Sequence, residues 1–213
     1  MLLMRSFHLK QKSYVIISGS YSIHVPNHIY TTMKKMPEIS NKRIIAESRL
    51  FRIEAMDVNF SNGQQRQYER LARSRSTGAV LIVPLLNDKT VLLIREYSAG
   101  INRYELGLPK GKIDAGESPL DAANRELKEE VGYGAKKLHP LISLSTAPSY
   151  LEHTIDVVIA QGLYEERLPG DEPEELEVIP WQLDNIQGLL ATGECTEARS
   201  IAALYMVRDY LNA

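Results

Sequence analysis

A pair of strand-like segments joined by a short turn is the first clear pattern of apolar and polar positions along the chain. Residues 50–59 and 64–72 have strand-like patterns, and Ser61-Asn62-Gly63 stands between them. Asn-Gly readily adopts the positive φ angles of a tight hairpin turn. The pattern therefore predicts a β-hairpin in this part of the chain.

Further strands are predicted after the hairpin. Residues 78–86 are continuously apolar, which is typical of a strand buried on both faces. A second strand, 90–96, returns after a turn at Asn87-Asp88. Short apolar segments at 138–146, 154–160 and 178–181 predict three more strands.

Helical spacing appears in three segments. Ser118 is a suitable N-cap and Pro119 fits the first helical position of the first helix. Its apolar residues recur every three or four positions, at Leu120, Ala123, Leu127 and Val131. Residues 183–190 and 197–211 predict two later helices, and the last presents a broad face of Ile201, Leu204, Tyr205 and Tyr210. Strands and helices together predict an α/β protein.

Three glutamates crowd one side of the first helix. At 100° per residue, Glu126, Glu129 and Glu130 share a face next to the apolar stripe. Like charges at this spacing repel unless a cation shares the site. Carboxylate oxygens are the ligands that Mg²⁺ prefers, with Mn²⁺ as a substitute. An isolated Glu-Glu pair would instead be an ordinary solvated face.

Other residues of the segment would support such a site. Gly111 lets the preceding loop fold back tightly, and Gly132 is available to end the helix. Glu117, in the loop, is the natural charge partner of Arg125. A bound Mg²⁺ would bring in a phosphate-bearing substrate, so these residues predict metal-assisted attack of water on a phosphate linkage.

Residues 111–133 match the Nudix box, the signature of the Nudix hydrolases, in the spacing of seven residues: Gly111, Glu117, Arg125, Glu126, Glu129, Glu130 and Gly132. The resemblance implies an α/β/α sandwich with a mixed sheet. It implies that Glu126 and Glu130 bind the metal, and that Glu129 is a further ligand or a catalytic residue that orients water. A backbone carbonyl near Lys110 or Gly111 would complete the coordination.

Six further segments resemble the ADP-ribose and ADP-sugar pyrophosphatase branch, and in particular its ADP compounds hydrolase subgroup. They are 48–51, 60–63, 94–97, 104–107, 147–150 and 170–174. The resemblance implies that ADP-ribose, diadenosine oligophosphates or NADH are cleaved at the pyrophosphate with release of AMP. It also implies a homodimer with a small N-terminal antiparallel sheet. The alternatives are an ADP-sugar pyrophosphatase and a catalytically inactive nucleotide-binding module.

Four residues outside the box are candidates for the reaction or for substrate binding. In related enzymes a glutamate of the acidic loop, residues 168–175, acts as a general base. Glu174 best matches that catalytic position, with Glu172 and Glu175 as alternatives. Arg95, Glu105 and Tyr150 are candidate substrate contacts, Tyr150 by stacking on adenine; the alternative for Arg95 is a salt bridge in the sheet.

Composition narrows the class of protein. The chain has 213 residues, of which 44% are hydrophobic, enough for one good core. The net charge of −2 gives no indication of nucleic-acid binding, and no apolar run is long enough to span a membrane. Cys195 is the single cysteine, which fits a reducing cytoplasm.

Three regions are predicted along the chain. Residues 1–32 are expected to be a disordered extension or an artefact of start-site choice, because their apolar patch is too short for a secretory signal. Residues 33–76 would form the N-terminal strand-hairpin region, and residues 77–213 the Nudix domain.

Overall fold

The computed structural model describes residues 34–73 and 78–212, together with two short strands that precede them. These strands are β1 (Tyr14–Ile17) and β2 (Tyr21–His24), which pair antiparallel. Apart from β1 and β2, the expectation for residues 1–32 lies outside the described residues.

A small antiparallel sheet follows, made of β3 (Glu38–Glu47), β4 (Arg52–Asn59) and β5 (Gln65–Leu71). β4 and β5 form the predicted hairpin, and Gly63 in its turn has φ +80°. β3 was not predicted. Its backbone is interrupted by two register shifts against β4, so its side chains do not follow a simple alternation.

The larger sheet has seven strands: β6 (Ala79–Asn87), β7 (Thr90–Ser98), β8 (Arg103–Gly107), β9 (Lys110–Lys112), β10 (Tyr133–Ser145), β11 (Thr154–Glu165) and β12 (Glu177–Gln182). The strand order is β10-β11-β6-β7-β12, with β8 paired to β7 and β9 paired to β6. Only β11 and β6 are parallel in this set, so the sheet is mixed.

The helices begin where the sequence predicts. α1 (Pro119–Glu126) is capped by the Ser118 side chain, which accepts from the Asp121 N–H, and it continues as a π-helical turn (Leu127–Val131). Gly132 closes this turn at φ +81°. A 3₁₀ turn (Leu183–Asn185) leads into α2 (Ile186–Ala191), and α3 (Ala198–Leu211) ends the described chain.

The core lies on both faces of the larger sheet. Alternate residues of β6 point to opposite sides: Leu81 and Val83 join the apolar cluster that contains α2 and α3. Val80 and Ile82 join the cluster that contains α1. Helices therefore cover both faces, which confirms the α/β/α sandwich with a mixed sheet and a small separate antiparallel sheet.

The small sheet is tied to the larger unit through the loop that follows β10. The Leu71 N–H donates to the Tyr150 carbonyl at 2.8 Å, and the Glu152 N–H donates to the Leu71 carbonyl at 3.1 Å. Arg70 of β5 pairs with Glu152 at 3.0 Å. The division of the chain at 33–76 and 77–213 stays a prediction. Within the described residues, no helix is long and apolar enough to cross a membrane.

Candidate active site

An acidic cleft lies between the acidic loop and the helix of the Nudix-box segment, residues 119–131, which we call the box helix. We define the acidic cleft by five carboxylates that line it: Glu126, Glu129, Glu130, Asp171 and Glu172. We call the part that is also lined by residues of β9 the inner part, with a volume of about 590 Å³, and the part lined by Glu174 and Glu175 the outer part. The three glutamates predicted on one helix face are thus brought together, and two carboxylates of the loop face them.

Arg125 links the loop before the helix to the glutamates of the helix. Its Nε and Nη2 atoms each lie 3.0 Å from a Glu117 oxygen. Its Nη1 atom lies 2.8 Å from Glu126 Oε1 and 2.9 Å from Glu129 Oε2, and Nη2 also donates to the Lys112 carbonyl at 2.8 Å. The predicted Glu117–Arg125 pair is therefore present. Arg125 lowers the pKa of Glu117, and Glu117 in turn raises the pKa of Arg125.

Glu130 is the most buried carboxylate of the cleft, with 6% of its surface exposed. Its Oε2 atom accepts one backbone hydrogen bond, from the Lys110 N–H at 2.9 Å. Burial raises the pKa of Glu130 to about 8; the charges of Glu126 and Glu96 add to the shift, and the contacts with Lys110 oppose it. A positive group that approaches such a carboxylate stabilises its charged form.

Gly111 provides the space that the Glu126 carboxylate occupies. A Cβ atom built on Gly111 would lie 1.9 Å from the Glu126 Cδ atom, so no other residue fits without displacing that side chain. Burial raises the pKa of Glu126, and Arg125 opposes the shift. The sequence predicted Gly111 for a tight loop; the structure adds this close approach.

The donor set of the cleft fits a hard divalent cation. Burial raises the pKa of Glu172 as it does those of Glu126 and Glu130, and the charges of Glu96 and Asp171 add to the effect. In the described part of the chain, no group of three or more metal-ligating side chains already converges on one point. Arg125 bonds two of these carboxylates instead. Oxygen ligands with this excess of negative charge suit Mg²⁺ or Mn²⁺ better than a soft metal.

The predicted base Glu174 lies at the outer part of the cleft, on the acidic loop. Its Oε1 atom accepts a hydrogen bond from the Tyr104 hydroxyl at 2.6 Å, and this bond raises the pKa of Tyr104. Glu172 lines both parts of the cleft. Glu175 also lines the outer part, so the structure brings all three loop candidates to the cleft.

Sequence reasoning missed an ion pair at the wall of the cleft. Lys110 of β9 donates from Nζ to Glu96 of β7. Lys110 lines the cleft, and both side chains are about a quarter exposed, at 26% and 28%. No sequence signal places these residues together, because β9 has only three residues and was not predicted as a strand.

Two of the candidate substrate contacts are engaged elsewhere. Glu105 is buried, with 6% exposed, and accepts hydrogen bonds from Thr196 Oγ1 at 2.8 Å and from Arg103 Nε at 2.8 Å. These contacts hold the Glu105 carboxylate within the protein, and the substrate contact expected above stays a prediction. Arg95 pairs with Glu177 at 2.8 Å and with Glu194 at 3.2 Å, which is the salt bridge considered as its alternative.

Tyr150, the third candidate, is 64% exposed and lies where the small sheet meets the larger unit. It is absent from the residues that line the acidic cleft in the described chain. The structure therefore does not bring Tyr150 to the carboxylates, and a role in stacking on a nucleobase stays a prediction.

Comparisons with known proteins identify the family of this chain. Residues 75–201 match the model of the NUDIX domain, and residues 37–70 match the model of the NudE-type Nudix hydrolase N-terminal domain. A 175-residue stretch is 50% identical to the ADP compounds hydrolase NudE of Escherichia coli (strain K12), covering 82% of this chain and 93% of that protein.

Two further relatives extend the comparison. The ADP-ribose pyrophosphatase of Bacillus subtilis (strain 168) is 29% identical over 150 residues, which cover 70% of this chain and 80% of that protein. A solved crystal structure of an ADP compounds hydrolase superposes with a TM-score of 0.79 at 48% identity, covering 85% of this chain and 97% of that one. The resemblance seen in the sequence is confirmed.

Proposed function

This chain belongs to the Nudix hydrolase family, and from that premise we propose that it hydrolyses the pyrophosphate linkage of ADP-linked compounds with the help of a divalent cation. ADP-ribose, diadenosine oligophosphates and NADH are the substrates in this class, and AMP is the shared product. The observation that carries the proposal is the acidic cleft itself, in which three glutamates of one helix face two carboxylates of the acidic loop.

Glu126, Glu129 and Glu130 are the residues that would hold the cation, Mg²⁺ or Mn²⁺. When bound, it would polarise a phosphate oxygen and offset the charge that develops during the attack of water. Gly111 allows Glu126 to approach the loop, and the Lys110 N–H orients Glu130. The loop before the helix therefore positions two of the three carboxylates, those of Glu126 and Glu130.

Glu174 is the proposed general base, with Glu172 and Glu175 as alternatives. A base must lie within hydrogen-bond reach of the attacking water. The acidic loop contacts the box helix, since the Leu168 N–H donates to the Lys128 carbonyl at 3.2 Å. This contact keeps the acidic loop, and with it Glu174, next to the helix that carries the proposed metal ligands.

A substrate panel with purified protein tests the proposal. ADP-ribose, diadenosine triphosphate, NADH and ADP-glucose are each incubated with Mg²⁺, and AMP release is measured. We expect turnover of the first three, loss of turnover with a chelator, and recovery when Mg²⁺ or Mn²⁺ is added back. Hydrolysis that continues unchanged in the chelator would contradict the role of the cation.

The same panel separates the alternatives. A clear preference for ADP-glucose over ADP-ribose and NADH would favour an ADP-sugar pyrophosphatase. Tight binding of ADP-ribose and Mg²⁺ in calorimetry, without any hydrolysis, would favour an inactive nucleotide-binding module.

Assembly and location are part of the proposal. We propose a homodimer that forms through the small sheet, which exposes large apolar side chains: Ile39, Ile44, Ile45 and Tyr68. Light scattering across a concentration series would detect a dimer, and an aspartate at Ile44 should shift it toward the monomer. The single cysteine, Cys195, is buried and free, which fits the proposed cytoplasmic location.

A further inference from the structure

We propose that Lys110 binds a phosphate oxygen of the substrate, and that Glu96 holds the lysine ammonium group in place until the substrate arrives. This inference rests on the proposed function, because it assigns a contact within the same cleft. The proposal begins from a problem of charge. A diphosphate entering a cleft lined by five carboxylates or more is repelled unless positive groups offset them.

Few cationic side chains are available for that task. Among the described residues that line the cleft, the cations are Lys110, Lys112, Arg125 and Arg167. Arg125 already makes five hydrogen bonds to the protein, to Glu117, Glu126, Glu129 and the Lys112 carbonyl. Its donors are therefore committed to holding the carboxylates.

Lys112 and Arg167 are less suited. Lys112 is exposed, and so is Arg167, which belongs to the outer part of the cleft and packs over the backbone of Gly132. A fully exposed lysine gains little from one more anion, because water screens the contact. Lys110 differs because its side chain is 26% exposed and is held by a single carboxylate, that of Glu96.

The position of Lys110 fits a contact with a metal-bound diphosphate. Its backbone N–H is 2.9 Å from Glu130 Oε2, so the residue adjoins a proposed metal ligand. The backbone bond does not depend on the side chain, and the ammonium group is free to exchange one oxygen partner for another. Lysine is a flexible point charge with three donors, which suits such an exchange.

Glu96 competes with the substrate phosphate for the lysine ammonium group, and cation binding in the cleft weakens that competition. It stands near two other carboxylates, Glu130 and Glu172, and its charge acts on both of them. In the absence of substrate Lys110 offsets part of this negative charge. A cation bound in the cleft offsets the same negative charge, which frees the Lys110 ammonium group to move from Glu96 to the phosphate.

The experiment compares the two partners of this ion pair. Wild type, Lys110→Met, Lys110→Arg and Glu96→Gln are measured with Mg²⁺ for KM and kcat on ADP-ribose, and for the Kd of α,β-methylene-ADP by calorimetry. Adenosine serves as the ligand without phosphate. Lys89→Met, which removes an exposed lysine in the turn between β6 and β7, is the matched control.

We expect opposite effects from the two partners. Lys110→Met should raise the KM and the Kd about tenfold, as loss of one charge-assisted hydrogen bond does, while Glu96→Gln should leave them equal or lower. Lys110→Arg should recover most of the affinity. Adenosine binding and the Lys89→Met variant should not change.

A purely structural salt bridge gives a different result, because both variants then lose thermal stability alike and neither changes the Kd selectively. Equal weakening of α,β-methylene-ADP binding in Lys110→Met and Glu96→Gln, or none in Lys110→Met, would overturn the phosphate contact. Wild-type turnover of ADP-ribose would keep the proposed function intact in that case. Lysine-dependent binding without any turnover would instead overturn the proposed function and leave the contact standing.

Discussion

Glu105 and Glu130 are buried to the same extent, each with 6% of its surface exposed. The pKa values of their carboxyl groups are nevertheless shifted in opposite directions. Burial would raise the pKa of Glu105, but hydrogen bonds from Thr196 and Arg103 outweigh it and lower that pKa. Glu130 accepts a single backbone hydrogen bond beside other carboxylates, and its pKa rises to about 8.

The difference separates a buried carboxylate whose charge is satisfied inside the protein from one whose charge is not. Glu105 has its charge satisfied inside the protein, where it fixes β8 to the start of α3 through Thr196. The charged form of Glu130 has few partners in a cleft that opens to solvent, so its pKa is raised. Burial alone does not separate these cases; the number and charge of the partners do.

Glu130→Gln is the variant for which we expect the largest effect on turnover. Glutamine keeps the shape of the side chain and can accept the Lys110 N–H, but it supplies no negative charge to a cation. We expect kcat on ADP-ribose to fall about a thousandfold, as for loss of a main electrostatic group in a site. Thermal unfolding should show a folded protein, and unchanged turnover would remove Glu130 from the site.

Gly111→Ala tests how the cleft is held together. The added Cβ would lie 1.9 Å from the Glu126 Cδ atom, so Glu126 must move. We expect kcat/KM to fall about a hundredfold, as when groups that orient metal ligands are lost. Gly100→Ala is the matched control, because a Cβ there meets nothing within 4 Å. Similar activity losses in both variants would point to a general effect of alanine rather than to Glu126.

Glu105→Gln tests the structural side. Its amide would face the donors of Thr196 and Arg103 with one acceptor fewer, so we expect a loss of about 1–3 kcal/mol in the free energy of unfolding. The kcat of the folded enzyme should stay near that of wild type. Glu69→Gln, at an exposed position on β5, should change stability by no more than about 0.5 kcal/mol. A loss of turnover without a loss of stability would return Glu105 to the substrate site.

The pH dependence of stability also tests whether the charged form of Glu105 stabilises the fold, and the expected effect is smaller. Because the folded-state pKa of Glu105 lies below its unfolded value of about 4.3, its stabilisation is fully present above that value. It is lost as the pH falls through the lower folded-state pKa. Urea unfolding of wild type and Glu105→Gln from pH 7 to pH 3 should show their difference shrinking in acid. A constant difference would contradict the assignment.

Much of the fold was predictable because local patterns agree with it. The hairpin β4–β5 followed from Asn62-Gly63, and the start of α1 followed from Ser118 and Pro119. The strands that were missed lack a local pattern. β3 contains two register shifts and a positive φ at Asn41, and β9 has only three residues, so its pairing with β6 depends on contacts distant in sequence.

In the candidate site, too, features set by local sequence were predictable, and features set by distant residues were not. The glutamates of the box helix and the Glu117–Arg125 pair were predictable, because helix geometry and charge fix which residues face each other over a short stretch. The expected substrate contacts of Arg95 and Glu105 depended on which distant residues lie opposite them. Glu177 pairs with Arg95 from 82 residues away, and Thr196 contacts Glu105 from 91 residues away.

Residue spacing along the chain was enough to identify the family, the helix that gathers the carboxylates and the type of cation they suit, because these depend on positions within one helix. Tertiary structure decided which buried carboxylate is satisfied, which lysine stands in the wall of the cleft and which loop faces the helix. Those outcomes depend on the pairing of strands and loops far apart in the chain, and a carboxylate's charge state depends on every group that surrounds it in space.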